Sequence, residues 1–103
     1  MSSEQFGLRR TVERLFCSLN GFCVPHDNTY YHIKCENISV KGAMIFSPLP
    51  LEINTYIDID LTTKKMDHLA AKGRVCWCKK DPDGWRAGVS FDKELPFNLE
   101  KIL

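Results

Sequence analysis

From Tyr56 to Leu61 the chain alternates strictly. Ile57, Ile59 and Leu61 fall on one side, and Tyr56, Asp58 and Asp60 on the other. A period of two with one apolar face predicts a half-buried strand. Lys72–Lys79 and Trp85–Phe91 repeat the signal on either side of Asp81-Pro82-Asp83-Gly84, which predicts a hairpin. Proline presets the first turn dihedral, and Gly84 is expected to take the left-handed position that follows. The phase puts Val75 with Trp77 on one face of the first arm, and Trp85, Ala87, Val89 and Phe91 on one face of the second, and these read as core or packing residues. Leu15–Val24, Tyr30–Glu36 and Ala43–Phe46 are the remaining strand candidates, with Pro25-His26-Asp27-Asn28 breaking the first from the second. Pro48 and Pro50 end the stretch after Phe46. Leu95, Leu99, Ile102 and Leu103 stand near helical spacing behind Pro96, so Pro96–Leu103 reads as a short terminal helix. Short strands, regular turns and one terminal helix predict a mostly β fold, a small barrel or sandwich.

Composition narrows the reading. A chain of 103 residues, 44% of them hydrophobic, suits one domain with one core. Its formal charge of +1 argues against wrapping duplex DNA or coating an anionic membrane, but leaves room for a small anionic ligand held by a few arginines. No apolar run approaches the roughly 20 residues of a membrane span. Met1–Leu8 lacks the apolar centre of a signal peptide and reads as a mobile leader, so a cytoplasmic location is expected. The five cysteines, Cys17, Cys23, Cys35, Cys76 and Cys78, include no Cys-x-x-Cys. Cys76 and Cys78 should share a strand face, but a metal site would need further ligands such as Cys35 or His68. Reduced, mostly buried thiols are the expectation, with no metal.

Two segments carry candidate chemistry. In Arg9-Arg10-Thr11-Val12-Glu13-Arg14, three guanidiniums stand within six residues. Such a cluster is most often a solvated basic patch. The alternative is a clamp, because the planar fork of arginine makes paired hydrogen bonds to phosphate or to guanine O6 and N7. In Asn37-Ile38-Ser39-Val40-Lys41-Gly42, an amide and a hydroxyl two residues apart on extended chain project to one side. Gly42 allows a tight turn or a close backbone approach. Alone, this segment reads as an ordinary turn.

Together, Arg-x-x-x-Arg (Arg10, Arg14) and Asn-x-Ser-x-x-Gly (Asn37, Ser39, Gly42), in this order on a small β chain, resemble the PilZ family. Ala43–Phe46, Gly73–Trp77 and Trp85–Phe91 extend the likeness, which covers about Leu8 to Phe91. The resemblance implies a small six-stranded antiparallel β-barrel of PilZ type, spanning Leu15–Asp92, with the short helix at 96–103. It also implies a ligand, cyclic di-GMP, and a switch segment, Arg9–Arg14, that folds over it. Asn37 and Ser39 would sit on the barrel surface and hold the nucleotide from the other side. Asn37 stands where the family has Asp or Asn, which costs a charge but keeps an acceptor for guanine. Arg9, just before the motif, would contact a second, stacked nucleotide, giving two per chain in an intercalated pair.

The implied function is a bacterial second-messenger receptor. It signals to a protein effector in motility, pilus or exopolysaccharide machinery, without catalysis, bulk nucleic-acid binding or membrane insertion. Two binding alternatives stand beside it: a degenerate PilZ-like adaptor for a protein, whose usual sign is loss of these motifs, and a small oligonucleotide barrel. The second would need exposed aromatics for base stacking, with Tyr30, Tyr31 and Tyr56 as candidates. An enzyme is disfavoured, since His26, His32 and His68 fall in no recognisable triad.

Overall fold

The computed structural model describes residues 14–25 and 29–95. The leader, Arg9 and Arg10 of the switch segment, and the helix expected at 96–103 lie outside the described residues. Six strands account for most of the rest: β1 Leu15–Pro25, β2 Tyr31–Ser39, β3 Gly42–Ser47, β4 Tyr56–Thr62, β5 His68–Asp81 and β6 Gly84–Phe91. All neighbours are antiparallel, and the sheet closes on itself in the order β1-β2-β3-β6-β5-β4. Closure falls to the second half of β1, where Gly21 to Pro25 pair with Leu61 to Ile57 of β4. A closed barrel leaves no sheet edge open to other chains.

The inward positions form one core. Ile33, Ile38, Ile45, Ile57, Leu61 and Val75 are its largest fully buried side chains. The alternation of β4 is realised residue by residue: Ile57, Ile59 and Leu61 are buried, whereas Tyr56, Asp58 and Asp60 are exposed. After β6 the chain crosses the barrel end. Phe91 N–H donates to Lys41 O, and Leu95 N–H to Val40 O, while the Leu95 side chain joins the core.

Two bulges change which side chains face out, because an extra residue in one strand shifts the phase of everything beyond it. Opposite β6, the register steps from Val75↔Val89 to Trp77↔Gly88. Val75 therefore points into the core, and Trp77 lies outside over Gly88, not on the same face as Val75. For the same reason Cys76 is exposed while Cys78 packs against the core, so the two thiols do not share a face. In β2 the register against β3 steps from Cys35↔Ile45 to Asn37↔Met44, and the pairing with β1 is displaced at the same point. Cys35 and Ile38 both face inward as a result, and Asn37 turns outward between them.

The β5–β6 turn also differs from expectation. Asp81 and Gly84 pair across it, and Pro82-Asp83 make the turn. Among the described residues, positive φ occurs at Asn54 and Met66 and at no glycine. Gly84 is needed for a different reason, since a Cβ there would lie 2.6 Å from Phe46 Cζ and 2.7 Å from Ser47 O.

Candidate functional site: an outer groove beside the β2–β3 turn

Strand register places the candidate residues in two neighbouring rows on the outside of the barrel. One row runs Phe16, Asn37, Met44, Gly88, Trp77, and the other runs Ser39, Gly42, Ser90, Arg74. Phe16 at the end of the first row is 87% exposed, which identifies the row as outward-facing. Arg14 precedes β1 and reaches back over Asn37, with its Nη1 donating to Asn37 Oδ1 at 3.2 Å. The two sequence motifs, 23 positions apart, thus meet through their side chains. The Asn37 amide nitrogen lies 3.8 Å from Met44 Sδ.

Asn37 and Ser39 are not the free surface groups that the resemblance implied. Asn37 is 5% exposed and Ser39 1%. Asn37 is covered by Arg14 and Met44. The Ser39 hydroxyl is drawn into the β2–β3 turn, where Oγ accepts from Lys41 N–H at 3.2 Å and donates to Gly42 O at 3.4 Å. A short polar side chain satisfying the backbone two residues on is the usual way serine stabilises a turn. Gly42 serves close approach, because a Cβ there would stand 2.4 Å from Val89 O of β6.

Beside this turn opens a groove of ≈ 260 Å³, lined by Arg14, Ser39, Lys41, Gly42, Trp77 and Ser90 among others. Its floor depends on Gly88, over which the Trp77 indole lies so closely that a Cβ would fall 2.1 Å from Nε1. Arg14 and Lys41 supply positive charge, and Lys41 has Glu94 at 3.9 Å as an exposed partner. A groove with a guanidinium, an ammonium, an indole and turn amides can hold an anionic, planar ligand.

Of the residues expected in the site, Arg14, Asn37, Ser39 and Gly42 come together, while Arg9 and Arg10 fall outside the described residues. Lys41, Trp77 and Ser90 were not anticipated. Lys41 sits at a free position of the motif. Trp77 was assigned to the core by a period-two count that the β5 bulge breaks. Among the described residues, no group of three or more His, Cys, Asp or Glu side chains could hold a metal ion, and no helix is long and apolar enough to cross a membrane. His68 and Asp60 pair at 2.8 Å on the exposed outer face of β4 and β5, away from the groove.

The PilZ domain family profile matches residues 8–103, nearly the whole chain. The chain belongs to the PilZ domain family. Two solved structures share the barrel seen here. The Bacillus subtilis inhibitor of motility MotI (DgrA) superposes with a TM-score of 0.72 at 14% identity, covering 92% of this chain. This chain spans about half of that protein, 48% of its length. The PilZ domain of YcgR from Escherichia coli, solved with c-di-GMP, superposes with a TM-score of 0.66 at 13% identity, covering 91% of this chain and 86% of that one. No curated protein sequence matches the chain significantly.

Proposed function

We propose that this PilZ domain is a receptor for cyclic di-GMP that binds without catalysis, on the groove beside the β2–β3 turn. The observation that carries the reading is the Arg14–Asn37 contact, which joins the end of Arg-x-x-x-Arg to the start of Asn-x-Ser-x-x-Gly at the rim of that groove. The c-di-GMP-bound PilZ domain of YcgR has the same fold and supports the choice of ligand.

In this reading Arg10 and Arg14 hold phosphate and guanine edges through paired hydrogen bonds. Asn37 offers its amide to a guanine. Ser39 and Gly42 act mainly by fixing the turn that bounds the groove. Arg14 must leave Asn37 to engage the ligand fully. Asparagine makes that release cheaper than aspartate would, since a neutral acceptor holds a guanidinium less strongly than a carboxylate does. Closure of the Arg9–Arg14 segment over the ligand costs ordering entropy that is offset only in the complex, so binding doubles as a conformational signal to a protein effector. An effector in motility control is favoured by the likeness to an inhibitor of motility.

Arg9 adds a third guanidinium where two stacked nucleotides would crowd their phosphates, which favours two nucleotides per chain. Isothermal calorimetry tests the assignment. The Arg10→Ala/Arg14→Ala variant should lose binding, at about 1.5–3 kcal/mol for each arginine. Arg9→Leu should drop the stoichiometry from two to one. Parent-like affinity in the double variant removes the clamp, and one nucleotide per chain in both parent and Arg9→Leu removes the pair.

A further inference from the structure

The bulge that turns Asn37 outward also brings two thiols together. Cys17 on β1 and Cys35 on β2 place their sulfurs 3.7 Å apart. Cys17 Sγ is also 3.5 Å from Cys35 O, and Cys35 Sγ donates to Asn37 O at 3.3 Å. Cys35 is wholly buried, whereas Cys17 is partly open to solvent and packs against the core from its rim. This pairing joins a reachable sulfur to a sheltered one on adjacent antiparallel strands, at the irregularity between Phe16 and Leu19 that sets Leu19 opposite Cys35 and brings the Cys17 sulfur to it. The other three cysteines are arranged differently, with Cys23 buried, Cys76 exposed and Cys78 on the core side of β5.

We infer that Cys17 and Cys35 form an oxidisable dithiol, which a hydroperoxide converts to an intramolecular disulfide behind the ligand groove. The Cys17 sulfur attacks one oxygen of the peroxide. The O–O bond breaks, the departing hydroxide takes the thiol proton as water, and Cys17 becomes a sulfenic acid. The Cys35 sulfur then attacks the Cys17 sulfur. The S–O bond breaks, and the second hydroxide takes the Cys35 proton and leaves as water. Two thiols and one hydrogen peroxide give one disulfide and two waters, with both electrons passing from sulfur to peroxide oxygen. The adjoining Cys35 side chain lowers the Cys17 thiol below its ordinary value, against smaller opposing effects of burial and Glu36, and so favours the attacking thiolate.

The bond has a consequence for the groove, which rests on the proposed function. A disulfide needs the sulfurs at about 2.05 Å, so they must close by roughly 1.7 Å, and Cys35 can no longer donate to the Asn37 carbonyl. The bulge that aims Asn37 at Arg14 is disturbed, and oxidation weakens cyclic di-GMP binding.

The test treats the native chain with hydrogen peroxide and maps it by mass spectrometry after digestion without reductant. Expected are a Cys17–Cys35 linked peptide and a fall in free thiols, counted in denaturant, from five to three. Dithiothreitol should restore both. Cys17→Ser should abolish the link and Cys76→Ser should keep it. Cross-links confined to Cys76 or Cys78, or thiol loss that persists unchanged in Cys17→Ser, overturn the dithiol. Calorimetry on the oxidised chain then tests the coupling. Weaker binding that reductant reverses supports it, and unchanged affinity with the link formed overturns it. If neither form binds cyclic di-GMP, the proposed function fails, while the mapped peptide still decides the dithiol.

Discussion

Ser39→Ala separates a side chain that builds the groove from one that only touches ligand. Ser39 is 1% exposed, and its hydroxyl serves both Lys41 N–H and Gly42 O. Alanine removes a donor and an acceptor at a buried position. A neutral hydrogen bond contributes about 0.5–1.5 kcal/mol net. Both bonds here are long, at 3.2 and 3.4 Å, so the lower half of that range applies to each. The expected loss is about 1–2 kcal/mol, which for a domain of this size lowers Tm by roughly 4–16 °C. Urea unfolding of the ligand-free chain reads this directly, with a lower midpoint at unchanged slope. Ligand affinity should fall too, because Lys41 and Gly42 line the groove. A variant that unfolds with the parent and loses only affinity would refute the turn role and restore Ser39 as a plain contact residue.

Gly88→Ala drives a methyl into the Trp77 indole, 2.1 Å from Nε1, and should cost about 1–3 kcal/mol, with a red-shifted tryptophan emission. Unchanged emission would mean that the indole does not rest there. Met66 is exposed and holds a φ of 69°, so Met66→Gly relieves left-handed strain and should raise stability by up to about 1 kcal/mol in urea unfolding. A loss would show that the Thr63–Asp67 turn depends on the methionine. Burial pushes the Cys23 thiol up to about 12 from 9.0. The unfolded chain then gives up that proton at lower pH than the folded one, so the Cys23 contribution is complete below pH 9.0 and is lost as pH rises towards about 12, at about 1.4 kcal/mol per pH unit. Cys23→Ala should flatten that alkaline slope in urea midpoints, and an unaltered slope would assign it to other groups.

The strands were legible because each carries a period-two signal over an apolar face. All six expected segments are strands that run past their expected bounds at one end or both, although β2 starts at Tyr31 and not at Tyr30, and the turn after β5 falls where Pro82 and Asp83 stand. The bulges were not legible. One extra residue changes neither composition nor propensity, but it reverses the phase beyond it. That reversal moved Trp77 from the expected core to the groove and separated Cys76 from Cys78. The same effect at Glu36 turned Asn37 outward and brought Cys17 onto Cys35. The pairing of β1 with β4 was equally hidden, since closure depends on strand tilt and register and not on any local pattern. At the site, the spacing of the two motifs located Arg14, Asn37, Ser39 and Gly42. It could not show that Arg14 lies on Asn37, because that contact arises only when β1 folds against β2.

The central claim, a cyclic di-GMP receptor, is tested most directly by calorimetric titration of the intact chain with cyclic di-GMP, repeated at raised salt and with Arg14→Ala. The account predicts saturable binding that weakens as salt screens the arginines and drops about ten-fold or more without Arg14, the equivalent of at least 1.4 kcal/mol. Linear guanosine nucleotides should bind far less well. No heat of binding, or equal affinity in parent and Arg14→Ala, would contradict it.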